Sequence, residues 1–120
     1  MNTKALVEDY FKAIHEGGWE SYIADDFTFV NLSLDRVTHT KEAYLDGAGK
    51  FFKTTTSVEI REMIDNGDKV AVIARYATRN PKGDVGVCDV AEFLTVSDNK
   101  LTSSSIFFDS KALFEFMTQE

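Results

Sequence analysis

Three long strands in succession, Lys69 to Arg79, Val85 to Val96 and Lys100 to Phe108, constrain this chain more than any other stretch. Asn66-Gly67-Asp68 precedes the first, and Asn-Gly supplies the positive backbone angles that a tight hairpin demands. Its incoming partner is then Ser57 to Asp65, with Val58, Ile60 and Ile64 in alternation. Asn80-Pro81-Lys82-Gly83-Asp84 makes the next reversal, because Pro fixes one backbone angle while Gly and Asn accept the left-handed region. Ser97-Asp98-Asn99 makes the last. Four strands in a meander form a twisted antiparallel sheet, and one face of such a sheet needs an apolar cover.

The first half of the chain supplies that cover. Leu6, Val7, Tyr10, Phe11 and Ile14 recur at helical spacing opposite Lys4, Glu8, Asp9, Lys12 and Glu16, which predicts an amphipathic helix ended by Gly17-Gly18. Trp19 to Ala24 is long enough for a short second helix, and Phe27 to Leu32 reads as a strand. Thr40 is placed to cap a third helix from Lys41 to Lys53, whose stripe is Tyr44, Ala48, Phe51 and Phe52. A last short helix, Ser110 to Met117, carries Leu113, Phe114 and Met117. The order predicts an α+β roll: a curved, mostly antiparallel sheet with the helices of the N-terminal half packed on its concave face. Three helices cannot fill that face, so an internal hydrophobic pocket is expected between helix and sheet.

Composition narrows the function classes. At 120 residues and 43% hydrophobic content the chain is expected to form one domain, residues 1–120. A net charge of -7 without a basic stripe argues against nucleic acid as a partner. No apolar run approaches the length of a membrane span, so no membrane partner is expected. Cys88 is alone, which excludes an internal disulfide and a cysteine metal cluster and fits a reducing cytoplasm. No metal site is expected from His15 and His39, whose separation suits no ligand spacing, and no cofactor is expected, since a dinucleotide or phosphate fingerprint is lacking. Gly83-Asp84-Val85-Gly86 is a turn before a strand, the wrong context for phosphate binding.

LVEDYFKAIHEGGWESYIADDFTFV near the start, GDKVAVIARY in the middle and DNKLTSSSIFFDSKALFEFM at the end resemble the nuclear transport factor 2-like superfamily, and within it the SnoaL-like and ketosteroid-isomerase-like group. The resemblance implies a cone-shaped roll and, in many relatives, a homodimer formed through the outer sheet face. It leaves activity open, because members include isomerases, cyclases, dehydratases, epoxide hydrolases, transport adaptors and binding domains. In the isomerases a Tyr on the first helix and an acid on a central strand donate hydrogen bonds to a developing oxyanion. Tyr10 and Asp89 stand in the resembling places, while Asn31 stands where the general base would be, and an amide takes no proton at neutral pH. In SnoaL-like cyclases the acid resembling Asp109 removes a proton next to a carbonyl.

Asp109, Asp89 and Tyr10 are therefore the candidate catalytic residues. Each has a second reading from the residues alone. Asp89 is expected to share a strand face with Ala91 and Phe93, either as an acid in the pocket or in a salt bridge to Arg75 or Arg79. Asp109 or Ser110 also stands where the last helix needs its N-cap. Tyr10 lies on the apolar stripe, so its hydroxyl faces the pocket or is satisfied within the core. Candidate ligand-binding residues are Asn31, His15, Trp19, Phe93 and Phe107. His15 could instead complement the helix dipole and Trp19 anchor the short helix.

Two functions are consistent with this. One is a cofactor-free proton-transfer enzyme, an isomerase, cyclase or dehydratase acting on a small hydrophobic carbonyl compound. The other is a non-catalytic ligand-binding or scaffold dimer. Under either, a homodimer is expected through the outer sheet face, with Val90, Leu94, Val96 and Ile73 or Val72 making that face too apolar for water.

Overall fold

The computed structural model describes residues 2–119. Helix α1 (Thr3–Glu16) starts where the Asn2 side chain accepts from the Ala5 N–H at 2.7 Å. It buries Leu6, Val7, Tyr10, Phe11, Ala13 and Ile14, a single stripe at three- and four-residue spacing. Gly17 (φ 103) and Gly18 (φ 89) then turn the chain through a region that side chains oppose. A 3₁₀ turn, Trp19–Tyr22, leads straight into β1 (Ile23–Asn31), and β2 (Arg36–Thr38) folds back on it. Thr40 caps α2 (Lys41–Thr54) by accepting from the Ala43 N–H. The rest of the sheet is β3 (Thr55–Asn66), β4 (Lys69–Arg79), β5 (Val85–Ser97) and β6 (Lys100–Phe108), followed by α3 (Ser110–Met117).

The strand order is β2-β1-β6-β5-β4-β3. All neighbours are antiparallel except β1 and β6, which run parallel, so an N-terminal strand lies beside the last one. This is the expected α+β roll. α1 packs on β3 and β4, α2 on β1 and β3, and the core gathers between them around Val7, Phe27, Val70, Ala74 and Leu101. The first strand runs from Ile23 to Asn31 where the sequence predicts Phe27 to Leu32, because pairing of Ile23 with Leu101 overrides the poor strand propensity of Ala24-Asp25-Asp26. β2, three residues long, has too short a pattern to be read from sequence.

Two strands differ from expectation in which side faces the core. In β3 the register shifts between Ile60 and Glu62, so Ile60 and Met63 pack on the core while Ile64 is 70% exposed. One extra residue reverses every later side chain, which is why simple alternation fails there. In β5 the inward set is Cys88, Val90, Glu92 and Leu94, and Asp89 and Phe93 face out. Val72, Val90 and Leu94, expected on the outer face, are thus core residues, whereas Ile73 does lie outside at 41% exposure. Among the described residues no helix is long and apolar enough to cross a membrane.

Candidate functional site

The inward faces of β4 and β5 meet directly. Tyr76 pairs with Cys88, Ala74 with Val90 and Val72 with Glu92, so a carboxylic acid sits in the middle of an otherwise apolar surface. Glu92 is only 6% exposed. The Tyr76 hydroxyl donates to its Oε2 at 2.6 Å. Burial pushes the Glu92 carboxyl up to about 7, and the Tyr76 hydrogen bond opposes the rise without cancelling it. An acid placed this way is divided between its protonated and ionised forms near neutral pH, as acid–base chemistry requires.

A second hydroxyl pair lies beside it. Tyr10 on α1 and Tyr44 on α2 approach to 3.1 Å between their hydroxyl oxygens, both buried. Burial is the main reason that the phenols of Tyr10, Tyr44 and Tyr76 are all shifted upward, and the Glu92 charge acts on each in the same direction. All three therefore stay protonated and able to donate. Edge-on contacts of Trp19 with Tyr44 and with Phe52, at ring-centroid distances of 6.2 and 4.8 Å, hold this part of α2 in place.

Between α2 and the inner sheet face is a cavity of about 350 Å³. Its walls are mostly apolar and include the aromatic rings of Phe29, Tyr44, Phe51, Phe52, Tyr76 and Phe108. Glu92 and Arg36 are the charged residues that line it, joined by Asn31, Thr38 and the free thiol of Cys88. Leu34 and Arg36, both exposed, belong to its rim. Among the described residues no three His, Cys, Asp or Glu side chains gather to hold a metal.

The structure separates the residues singled out from sequence. Tyr10 is buried behind Tyr44 and does not itself line the cavity; Asn31 does line it, with its Oδ1 accepting from the Leu34 N–H at 3.3 Å. Of the two readings open for Asp89, the structure takes the salt bridge on the outer face and not the acid in the pocket: Arg75, its cross-strand partner, donates to both carboxylate oxygens at 2.8 and 3.0 Å, and these hydrogen bonds hold its carboxyl below the usual range. Asp109 caps α3, accepting from the Ala112 N–H at 3.0 Å, and is exposed outside the cavity. His15 is exposed in the last turn of α1, and Trp19 is a buried anchor, so neither lines the cavity. Phe93 and Phe107 stand on the outer face, 58% and 60% exposed, because Phe93 has the parity opposite to the inward set of β5, and Phe107 is the cross-strand partner of Ala91, which shares that outward parity.

The sequence alone does not mark Glu92, Tyr76 and Tyr44 as site residues. A signal for them existed in β4, where Lys69, Arg75 and Arg79 share one parity and Val70, Val72, Ala74 and Tyr76 the other. Carrying that polarity across the hairpin turns Glu92 inward and sets Asp89 opposite Arg75.

The SnoaL-like domain family matches residues 7–104. No curated protein sequence matches the chain. Among solved structures, a protein from Jannaschia sp. CCS1 provisionally named a SnoaL-like polyketide cyclase is 16% identical, covers 98% of this chain and 93% of its own, and superposes with a TM-score of 0.82. TerC, co-crystallised with polyporic acid, is 18% identical, covers 98% of both chains, and gives 0.80. A protein of ketosteroid isomerase-like fold from Catenulispora acidiphila DSM 44928, in complex with trimethylamine, is 16% identical over 98% of this chain and 95% of that one, with a TM-score of 0.77. At such identities the structural likeness carries the fold alone, and the family match carries membership. This chain belongs to the SnoaL-like domain family.

Proposed function

We propose that this protein is a cofactor-free proton-transfer enzyme, an isomerase, cyclase or dehydratase, whose cavity binds a small hydrophobic carbonyl compound. Glu92 carries the reading, as a buried carboxyl shifted to about 7 on the wall of a mostly apolar cavity. In this mechanism the Glu92 carboxylate takes the proton from the carbon next to the substrate carbonyl. The electron pair of that C–H bond moves into a carbon–carbon double bond, and the carbonyl oxygen gains the negative charge. The Tyr44 hydroxyl donates to that enolate oxygen, with Tyr10 donating to Tyr44 behind it. Protonated Glu92 then returns its proton to carbon or to a leaving group. Tyr10 thus keeps a positioning role, while Asp89 and Asp109 have none here, being tied to Arg75 and to the α3 N-terminus.

Exchange chemistry tests this without knowledge of the natural product. The enzyme is expected to catalyse deuterium incorporation next to the carbonyl of small aryl ketones such as 2-tetralone in D₂O, read by proton NMR. Glu92→Gln is expected to lower that rate about 10²–10⁴-fold, and Asp89→Asn to leave it within about twofold. Equal rates for wild type and Glu92→Gln would reject the assignment.

One observation favours a second reading, a binding or scaffold dimer of the same fold. Asn31 is an amide on the cavity wall, and among the described residues Glu92 is the one carboxylate there. The molecules bound in similar solved structures do not decide between the two, since one is an acid and another an amine. Under both readings residues 1–120 act as one unit, in the cytoplasm, as a homodimer. Support for the dimer comes from Ile73, Val87, Phe93 and Phe107, large apolar side chains exposed on the outer sheet face.

A further inference from the structure

Backbone register brings four cavity residues into one row across the sheet. Arg36 on β2 is the cross-strand partner of Asn31 on β1, Asn31 is the partner of Ile106 on β6, and Ile106 is the partner of Glu92 on β5. Directly paired residues share a sheet face, and all four line the cavity. The row therefore runs from an edge strand at the rim to a central strand at the inner wall. Three inter-strand steps of about 4.8 Å separate the backbones of Arg36 and Glu92 by roughly 14 Å. Both side chains line the cavity within that span, and they do not pair with each other: the ion pairs among the described residues are Lys41–Asp25, Lys50–Asp46 and Arg75–Asp89.

The polar groups along the row are sorted by type. At the rim end stand donors, the Arg36 guanidinium and the Asn31 carboxamide nitrogen, whose oxygen is already used by the Leu34 N–H. Ile106 and the aromatic walls occupy the middle. At the inner end Glu92 is the acid. A donor pair with a planar guanidinium suits a carboxylate, and a carboxylate at the other end would meet Glu92 at close quarters in an apolar wall.

We propose that the ligand of this cavity is an apolar carboxylic acid about two fused rings long, bound with its carboxylate on Arg36 and Asn31 at the rim and its carbonyl-bearing end at Glu92. This rests on the reading of the cavity as the ligand site and adds to it the polarity, length and orientation of the ligand.

Calorimetric titration of the full chain with two probes, 2-naphthoate and the uncharged 2-acetylnaphthalene, tests it at pH 7.5. Wild type is expected to bind the naphthoate about fivefold more tightly, the range of a solvent-accessible Arg–carboxylate pair. Arg36→Gln removes that preference while leaving the acetyl probe unaffected, and Arg36→Lys retains most of it. Ile64→Lys, on the outer sheet face, changes neither affinity; loss of binding in that variant would place the probes outside the cavity and overturn the proposal. Equal binding of both probes, unchanged by Arg36→Gln, overturns the orientation and leaves the cavity as a ligand site. Binding of neither probe overturns both.

Discussion

Asp89 and Glu92 are two carboxylic acids three residues apart on one strand, and the sheet gives them opposite fates. Asp89 faces out, is held by a bidentate pair with Arg75, and has its carboxyl lowered by those hydrogen bonds. Glu92 faces in, receives one hydrogen bond from Tyr76, and is raised to about 7 by burial. An odd spacing along a strand places two groups on opposite faces, so the environment rather than the residue type decides which acid can do chemistry. The same division holds for the aromatic residues: Phe51, Phe52 and Phe108 wall the cavity, while Phe93 and Phe107 stand exposed on the other side.

The deuterium-exchange comparison is the largest effect expected from this difference, because only one of the two amide substitutions removes the proton carrier. Stability against pH gives the next. Native Glu92 protonates at about 7, whereas in the unfolded chain it returns to its ordinary 4.5, so between these values the native state holds the extra proton. Its presence therefore makes stability fall as pH rises from about 4.5 through about 7, a loss on the order of 3 kcal/mol that Glu92→Gln should abolish in denaturant titrations. Asp89 has the reverse sign. Its lowered carboxyl contributes stability that is present above the ordinary 3.8 and lost as pH falls through the native value, and Asp89→Asn removes only that acid-side dependence. A Glu92→Gln chain that kept the wild-type decline between pH 4.5 and 7 would show that another group causes it.

The smallest effect lies on the outer face. Phe93→Lys is expected to alter the stability of the folded chain by less than about 0.5 kcal/mol, yet to shift sedimentation from a dimer to the 13.5 kDa monomer. A wild-type chain that sediments only as monomer at micromolar concentration would remove the dimer from both functional readings.

How much of this was readable in the sequence depends on the range of the interactions involved. The α1 stripe and the hairpin turns at Asn66-Gly67 and Asn80 to Asp84 were legible because their signals are local: helical spacing and turn chemistry. The face of β5 was not, since each parity holds one acid and several apolar residues: Val87, Asp89, Ala91 and Phe93 against Cys88, Val90, Glu92 and Leu94. Its neighbour resolves the ambiguity, because three basic residues mark the outer face of β4. The shift at Ile60 to Glu62, the short β2 and the parallel pairing of β1 with β6 depend on contacts distant in sequence, and periodicity is blind to them. The Tyr10–Tyr44 contact likewise joins residues 34 apart in the chain.

The most direct test of the account is a carbon-13 NMR titration of the Glu92 side-chain carboxyl in the folded protein, assigned by comparison with Glu92→Gln. A midpoint near 7 is expected, moving higher in Tyr76→Phe as the opposing hydrogen bond is lost. A midpoint at the ordinary value of 4.5, unchanged by Tyr76→Phe, would contradict the claim that this face of the sheet holds a poised acid.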